Sequence, residues 1–68
     1  MAVGTVKWFN TTKGYGFIRP EGGGADVFVH VTAVQRAGMQ SLMEGQRINY
    51  EVVRDRGKVA AANLTTVE

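Results

Sequence analysis

Short strand-like runs, each ended by a turn-forming cluster, limit what this chain can fold into more than any other feature. Runs rich in Val, Ile, Phe, Tyr, Trp and Thr are typical of β-strands, and clusters of Gly, Asn, Asp and Pro end them. No segment is long enough for a crossover helix, so the strands are expected to pair antiparallel. The predicted strands are Val3–Asn10, Tyr15–Pro20, Asp26–Val31, Gln46–Arg54 and Lys58–Thr66.

The chain has 68 residues, which is enough for one hydrophobic core, so residues 1–68 are expected to form a single domain. Five antiparallel strands in so short a chain leave the fewest unpaired edges when they close into a barrel. The predicted fold is therefore an all-β, five-stranded antiparallel barrel. The long third connection, residues 32–45, has room for one short helical turn from Thr32 to Ala37, with Thr32 as N-cap and Gly38 as stop.

Composition excludes several classes of function. The chain has no cysteine and one histidine, so neither a disulfide framework nor a metal site is expected. No Ser/His/Asp set or carboxylate pair is recognisable, which predicts no enzyme, no cofactor and no small-molecule substrate. The triplet Gly22-Gly23-Gly24 lacks the Lys-Ser/Thr that follows a phosphate loop and is interpreted as a hairpin tip.

No apolar run approaches the ~20 residues that a membrane helix needs, and the N-terminus lacks the pattern of a signal peptide. We therefore expect no membrane partner and a cytoplasmic location. The net charge of +2 indicates an anionic partner only weakly, so the distribution of charge matters more than its sum.

Two neighbouring strands each have an aromatic side and an aliphatic or glycine side. Side chains alternate between the two faces of a strand, so every second residue shares a face. One side therefore carries Tyr15, Phe17 and Arg19 in the second strand and Phe28 and His30 in the third, and the other carries Gly14, Gly16, Ile18, Val27, Val29 and Val31.

The aliphatic side packs better inside a small barrel, which leaves the aromatic rings exposed. Each exposed ring forgoes roughly 1.5–3 kcal/mol of burial, so such a patch indicates a function. Alternation alone leaves the inverse arrangement open, with the aromatic rings as the core. That arrangement would bury Arg19 and His30 without evident partners.

Basic residues border the aromatic side, with Lys7 beside Trp8, Lys13 before Tyr15 and Arg19 after Phe17. Cations neutralise phosphates while flat rings stack on bases, and only single strands present their bases freely. This combination predicts a site for single-stranded nucleic acid. The alternative is a barrel that uses its aromatic side to bind a protein or peptide, and that partner would need acidic residues to complement the Lys and Arg side chains.

Three segments now identify a family resemblance. Gly4–Asn10 is similar to the first strand of the cold-shock domain family, Lys13–Ile18 to its first ribonucleoprotein motif, and Val27–His30 to its second. Leu42–Gln46 and Ala61–Leu64 also match in place and spacing, so the resemblance covers essentially the whole chain. The Lys-Gly-aromatic-Gly-Phe string also begins the signature of the RNA recognition motif, but the order of the motifs and the lack of two helices argue against that fold.

The resemblance implies an OB-type barrel that binds single-stranded RNA or DNA with low sequence specificity. It also implies an RNA chaperone that acts on transcripts, with a role in regulating transcription or translation, and the protein is expected to be a monomer. The implied nucleic-acid-binding residues are Lys7, Trp8, Lys13, Tyr15, Phe17, Phe28, His30 and Arg56. Secondary candidates are Phe9, Asn10, Arg19, Met39 and Lys58, with Phe9 either in the core or on the binding face.

Strand alternation does not place Lys7 and Trp8 on one face, so both can serve only if the first strand is twisted or bulged. The chain also departs from the family in three places. Val31 and Met39 stand where many members have aromatic residues. Two stacking platforms are therefore missing, and at ~1–3 kcal/mol of stacking per base this loss is expected to lower the affinity for nucleic acid. The last hairpin reads Gly57-Lys58-Val59 where many relatives have Gly-Pro, which adds Lys58 as a candidate phosphate contact.

Overall fold

The computed structural model describes residues 2–55 and 57–67, which form five strands and one short helix. The predicted strands are found, with each end within one residue of its predicted position. The elements are β1 (Ala2–Asn10), β2 (Tyr15–Pro20), β3 (Val27–His30), α1 (Val31–Arg36), β4 (Arg47–Asp55) and β5 (Lys58–Thr66). No helix in the described parts of the chain is long and apolar enough to cross a bilayer.

The strands close into a barrel in the order β1-β2-β3-β5-β4, which confirms the predicted all-β, five-stranded barrel. Four of the neighbouring pairs are antiparallel, but β3 and β5 pair in parallel at Phe28 and Ala60. The expectation of antiparallel pairing throughout is therefore wrong at this one contact. The reason is parity, because strand direction cannot alternate all the way round a closed ring with an odd number of strands.

The aliphatic side of β2 and β3 faces the barrel interior, as predicted. Ile18 and Val29 have no exposed surface, and Val27 is 7% exposed. Their neighbours Phe17 and Phe28 are only half-buried on the opposite side of the same strands. This excludes the inverse arrangement with the aromatic side inside. The remaining core side chains come from β1, α1, the third connection, β4 and β5: Val6, Val34, Leu42, Ile48, Tyr50, Ala61 and Leu64.

The helix begins one residue earlier than expected and has a different cap. His30, not Thr32, is the N-cap, and its Nδ1 accepts a hydrogen bond from the backbone N–H of Thr32 at 3.2 Å. Thr32 is thus the residue being capped, since its N–H is one of the first-turn donors that lack a helical acceptor. The predicted stop is supported, because Gly38 has a φ of 81° just beyond the C-cap Ala37.

Tyr50 gives the fold a dependence on alkaline pH. Tyr50 lies in the core and is 1% exposed. This burial raises the pKa of the Tyr50 phenol above its ordinary value of 10.0, because the charged phenolate is disfavoured away from water. The raised pKa in the folded state means that this stabilisation is complete below the unfolded value and is lost as pH rises through the folded value.

We therefore expect the free energy of unfolding to fall above about pH 10, and we expect this part of the fall to be absent in Tyr50→Phe. Urea unfolding of both proteins from about pH 8 to about pH 12 measures the difference. Other groups that titrate in this range affect both proteins alike. If the free energy of unfolding fell equally with pH in the wild type and in Tyr50→Phe, this role of Tyr50 would be contradicted.

Candidate nucleic-acid interface

Five rings lie side by side on the outer surface of β1, β2 and β3. We call this surface the aromatic face, and its members are Trp8, Tyr15, Phe17, Phe28 and His30. Trp8 contacts Tyr15 and Phe17 edge-on, with ring centroids 5.4 and 5.3 Å away. Tyr15 stacks on Phe28 at 5.8 Å, and His30 continues the row 6.3 Å from Phe28. The four larger rings are half-buried and His30 is exposed.

Strand register brings these rings together. Phe17 of β2 lies opposite Phe28 of β3, and Tyr15 lies opposite His30. On the other side of β2, Trp8 of β1 lies opposite Phe17. Directly opposite residues in a sheet point to the same face, so the three strands align their rings in two adjacent rows.

A bulge in β1 makes this alignment possible. Val6 pairs with Ile18 and Trp8 pairs with Phe17, which leaves Lys7 as the extra residue. Without the bulge, Val6 and Trp8 would share a face, yet Val6 is 1% exposed in the core and Trp8 is half-buried on the aromatic face. Of the two alternatives that would let both Lys7 and Trp8 serve, a twisted or a bulged strand, the structure has the bulge, and Lys7 is exposed beside Trp8.

Gly16 allows β1 and β2 to approach closely behind the aromatic face. A Cβ on Gly16 would lie 2.4 Å from the carbonyl oxygen of Trp8 and 2.7 Å from the Cα of Phe9. Phe9 fills the space over this glycine and packs against the hydrophobic core. Of the two roles considered for Phe9, the structure therefore favours core packing.

The first turn of α1 fixes the His30 ring. Its Nδ1 accepts from the Thr32 N–H and lies 3.0 Å from the Thr32 hydroxyl oxygen. Because a neutral imidazole has one acceptor nitrogen, this arrangement places the proton of the neutral ring on Nε2. The ring is thereby held in orientation at the end of the aromatic face, and its Nε2–H is a donor for a base or phosphate.

The basic residues differ in how they are held. The Nζ of Lys7 forms an ion pair with Asp26 at 2.9 Å, with half of the Lys7 side chain exposed. Lys13 is exposed in the turn after β1, where its backbone N–H donates to the Oδ1 of Asn10 at 2.9 Å. Asn10 thus stabilises the turn that carries Lys13. Arg19 is exposed at the end of β2, and Arg56 lies outside the described residues.

A groove of about 570 Å³ adjoins the aromatic face where β3 meets β5. Its walls are Phe17, Asp26, Phe28, Lys58, Val59 and Ala60. Lys58 thus lies beside two rings of the aromatic face, which suits a contact to the phosphate of a stacked nucleotide. Asp26, Val59 and Ala60 are not among the residues predicted from the sequence. The parallel pairing that brings β5 next to Phe28 is not indicated by any local pattern in the sequence.

Val31 and Met39, which stand where an aromatic residue was considered, are both partly covered. The backbone N–H of Val31 donates to the carbonyl of Gly14 at 2.9 Å, so Val31 lies against the turn that precedes β2. Met39 packs against the core, and its N–H donates to the carbonyl of Val34 at 3.1 Å.

Within the described residues, no cluster of His, Cys, Asp and Glu side chains has the geometry to hold a metal ion.

Comparison with known proteins gives consistent matches. The family model described as "'Cold-shock' DNA-binding domain" matches residues 2–67. A probable cold shock protein of Sinorhizobium fredii is 64% identical over 66 residues, which cover 94% of this chain and 96% of that protein. Cold shock protein CspA of Rhizobium meliloti is 62% identical over 66 residues, with the same two coverages. Cold shock-like protein CspE of Escherichia coli is 51% identical over 61 residues, which cover 90% of this chain and 88% of that protein.

Proposed function

The chain belongs to the cold-shock domain family, whose members are nucleic-acid-binding proteins and not enzymes, and we propose that it binds single-stranded RNA or DNA by base stacking. The observation that carries this proposal is the aromatic face, a continuous patch of rings with centroid spacings of 5.3 to 6.3 Å on the outside of a closed barrel. These rings lie outside the hydrophobic core, so packing of the core does not explain them. Each ring offers a platform on which stacking contributes ~1–3 kcal/mol per base.

Single strands are the ligand that fits this geometry. In a duplex the flat surfaces of the bases are covered by their neighbours, whereas a single strand can place them on the rings. Stacking does not distinguish one base from another strongly, so sequence specificity is low. Weak, repeated contacts of this kind keep a transcript unpaired and release it readily, which is the action of an RNA chaperone that influences transcription or translation.

The proposed contacts divide into platforms and phosphate contacts. Trp8, Tyr15, Phe17, Phe28 and His30 stack with bases, and Lys7, Lys13 and Arg56 contact phosphates. Arg19 and Lys58 are further phosphate candidates, and the ion pair between Lys7 and Asp26 competes with the contact assigned to Lys7. We further propose that residues 1–68 act as one domain, as a monomer in the cytoplasm.

The salt dependence of binding tests this division between stacking and charge. If about three of the five candidate cations meet phosphates, the slope of log K against log salt should be near −2, from roughly −0.7 per contact on single strands. Titrations of oligothymidine and oligouridine at several salt concentrations measure this slope. A slope several times steeper would mean that charge and not stacking dominates, and an absence of binding to both would overturn the proposal.

A further inference from the structure

A second groove, of about 670 Å³, lies between α1 and β5. Its volume is within the ~300–1,000 Å³ typical of ligand pockets. The small side chains that line it leave this space open: α1 and its C-cap contribute Ala33 and Ala37, and β5 contributes Ala60, Ala61 and Ala62. Of the contacts proposed above, only His30 lines this groove.

The groove is continuous with the proposed binding surface at two residues. His30 is the last ring of the aromatic face, 6.3 Å from Phe28, and its side chain also lines the α1–β5 groove. Ala60 lines both this groove and the smaller one beside Phe28. A strand that passes from Phe28 across His30 therefore reaches the α1–β5 groove.

The groove also carries a cation suited to a phosphate. Arg36 lies in the last turn of α1, is exposed, and lines the groove. The ion pairs among the described residues join Lys7 to Asp26 and Arg47 to Glu21, so neither involves Arg36. A guanidinium group recognises phosphate oxygens through two parallel N–H donors, which makes it a stronger phosphate contact than an exposed ammonium.

Asn63 lines the same groove from β5. It has a φ of 50°, the left-handed conformation that Asn adopts more readily than most residues. The side chain is exposed and lines the groove, where its amide can both donate and accept hydrogen bonds. Base edges present both donors and acceptors, so the groove offers a phosphate contact on one wall and a polar contact for a base on the other.

We propose that a bound single strand continues past His30 into the α1–β5 groove, where Arg36 contacts a backbone phosphate. This inference rests on the proposed function and extends it, since it makes the binding site longer than the aromatic face. A short oligonucleotide fills the aromatic face alone, and a longer one also occupies the groove.

Oligothymidines of about 5 and about 12 nucleotides distinguish the two regions, since OB folds bind ~4–16 nucleotides. Arg36→Gln should weaken binding of the longer oligonucleotide by ~3–5-fold, the size of an exposed ion pair, and should leave the shorter one unchanged. Its salt slope with the longer oligonucleotide should become shallower by about 0.7. Ala62→Gln, which narrows the groove without changing charge, should cause the same length-selective loss.

Arg47→Gln is the matched control, because it removes the same charge from a residue that is paired with Glu21 and does not line the groove. Thermal melts show that each variant is folded. The proposal is overturned if Arg36→Gln affects both lengths equally or neither, or if Arg47→Gln weakens the longer oligonucleotide as much. A wild-type protein that fails to bind even the shorter oligonucleotide would instead overturn the proposed function.

Discussion

Phe28→Ala is expected to weaken binding of a single-stranded oligonucleotide by ~1–3 kcal/mol, or roughly 5- to 150-fold, while the barrel stays folded. Phe28 lies in the middle of the aromatic face, within 6.3 Å of the rings of Tyr15, Phe17 and His30. Its loss removes a stacking platform that is already partly in contact with water. Oligonucleotide titration gives the affinity, and a thermal melt shows that the fold remains.

Val29→Ala is the matched control from the next position on β3 and should behave in the opposite way. Val29 has no exposed surface, so losing its methyl groups should cost about 1–3 kcal/mol of stability, and the folded fraction should bind normally. That is a large share of the roughly 3–5 kcal/mol available to a domain of this size. Phe17→Ala and Ile18→Ala should repeat the contrast on β2. If the phenylalanine variants unfold while the aliphatic variants lose only binding, the assignment of the two faces is wrong.

Gly16→Ala is expected to destabilise the barrel by about 3 kcal/mol or more, enough to leave much of the protein unfolded at room temperature. The new Cβ would lie 2.4 Å from the Trp8 carbonyl oxygen and 2.7 Å from the Phe9 Cα. Both are backbone atoms, so the clash can be relieved only by separating β1 from β2, which also disturbs Trp8 on the aromatic face.

Gly22→Ala is the control, because a Cβ there meets nothing within 4 Å and the residue does not have a positive φ. This substitution should change stability by no more than about 0.5 kcal/mol. Urea unfolding of the wild type and both variants measures the difference. Equal stability of Gly16→Ala and Gly22→Ala would show that β1 and β2 are not packed as described.

The sequence predicted the strands and their two faces well because both depend on local patterns. Alternation separates Ile18 and Val29, which have no exposed surface, from the half-buried Phe17 and Phe28. The preference of the core for closely packing aliphatic side chains then decides which side is inside. Alternation also indicates that the first strand must be twisted or bulged if Lys7 and Trp8 are both to serve the binding face, and the structure has a bulge at Lys7.

The features that local patterns do not predict depend on which strands are neighbours. The ion pair between Lys7 and Asp26 joins residues 19 positions apart, and it forms only because of the barrel register and the bulge. The grooves along β5 require the parallel contact of Phe28 with Ala60. This contact arises when the barrel closes, and neither the β3 nor the β5 sequence indicates it alone. The sequence favours Thr32 as the cap of α1 because Ser, Thr, Asp and Asn are the usual N-caps, whereas in the structure the imidazole nitrogen of His30 accepts the capping hydrogen bond.

The emission of Trp8, the chain's one tryptophan, tests the central claim most directly. Its ring lies within 5.4 Å of Tyr15 and Phe17 on the aromatic face, so a base stacked there must change its surroundings. Titration with a single-stranded oligonucleotide should quench this emission to saturation, whereas the same sequence in a duplex should leave it nearly unchanged at equal concentration. Equal quenching by both forms, or none by the single strand, would contradict base stacking on the aromatic face.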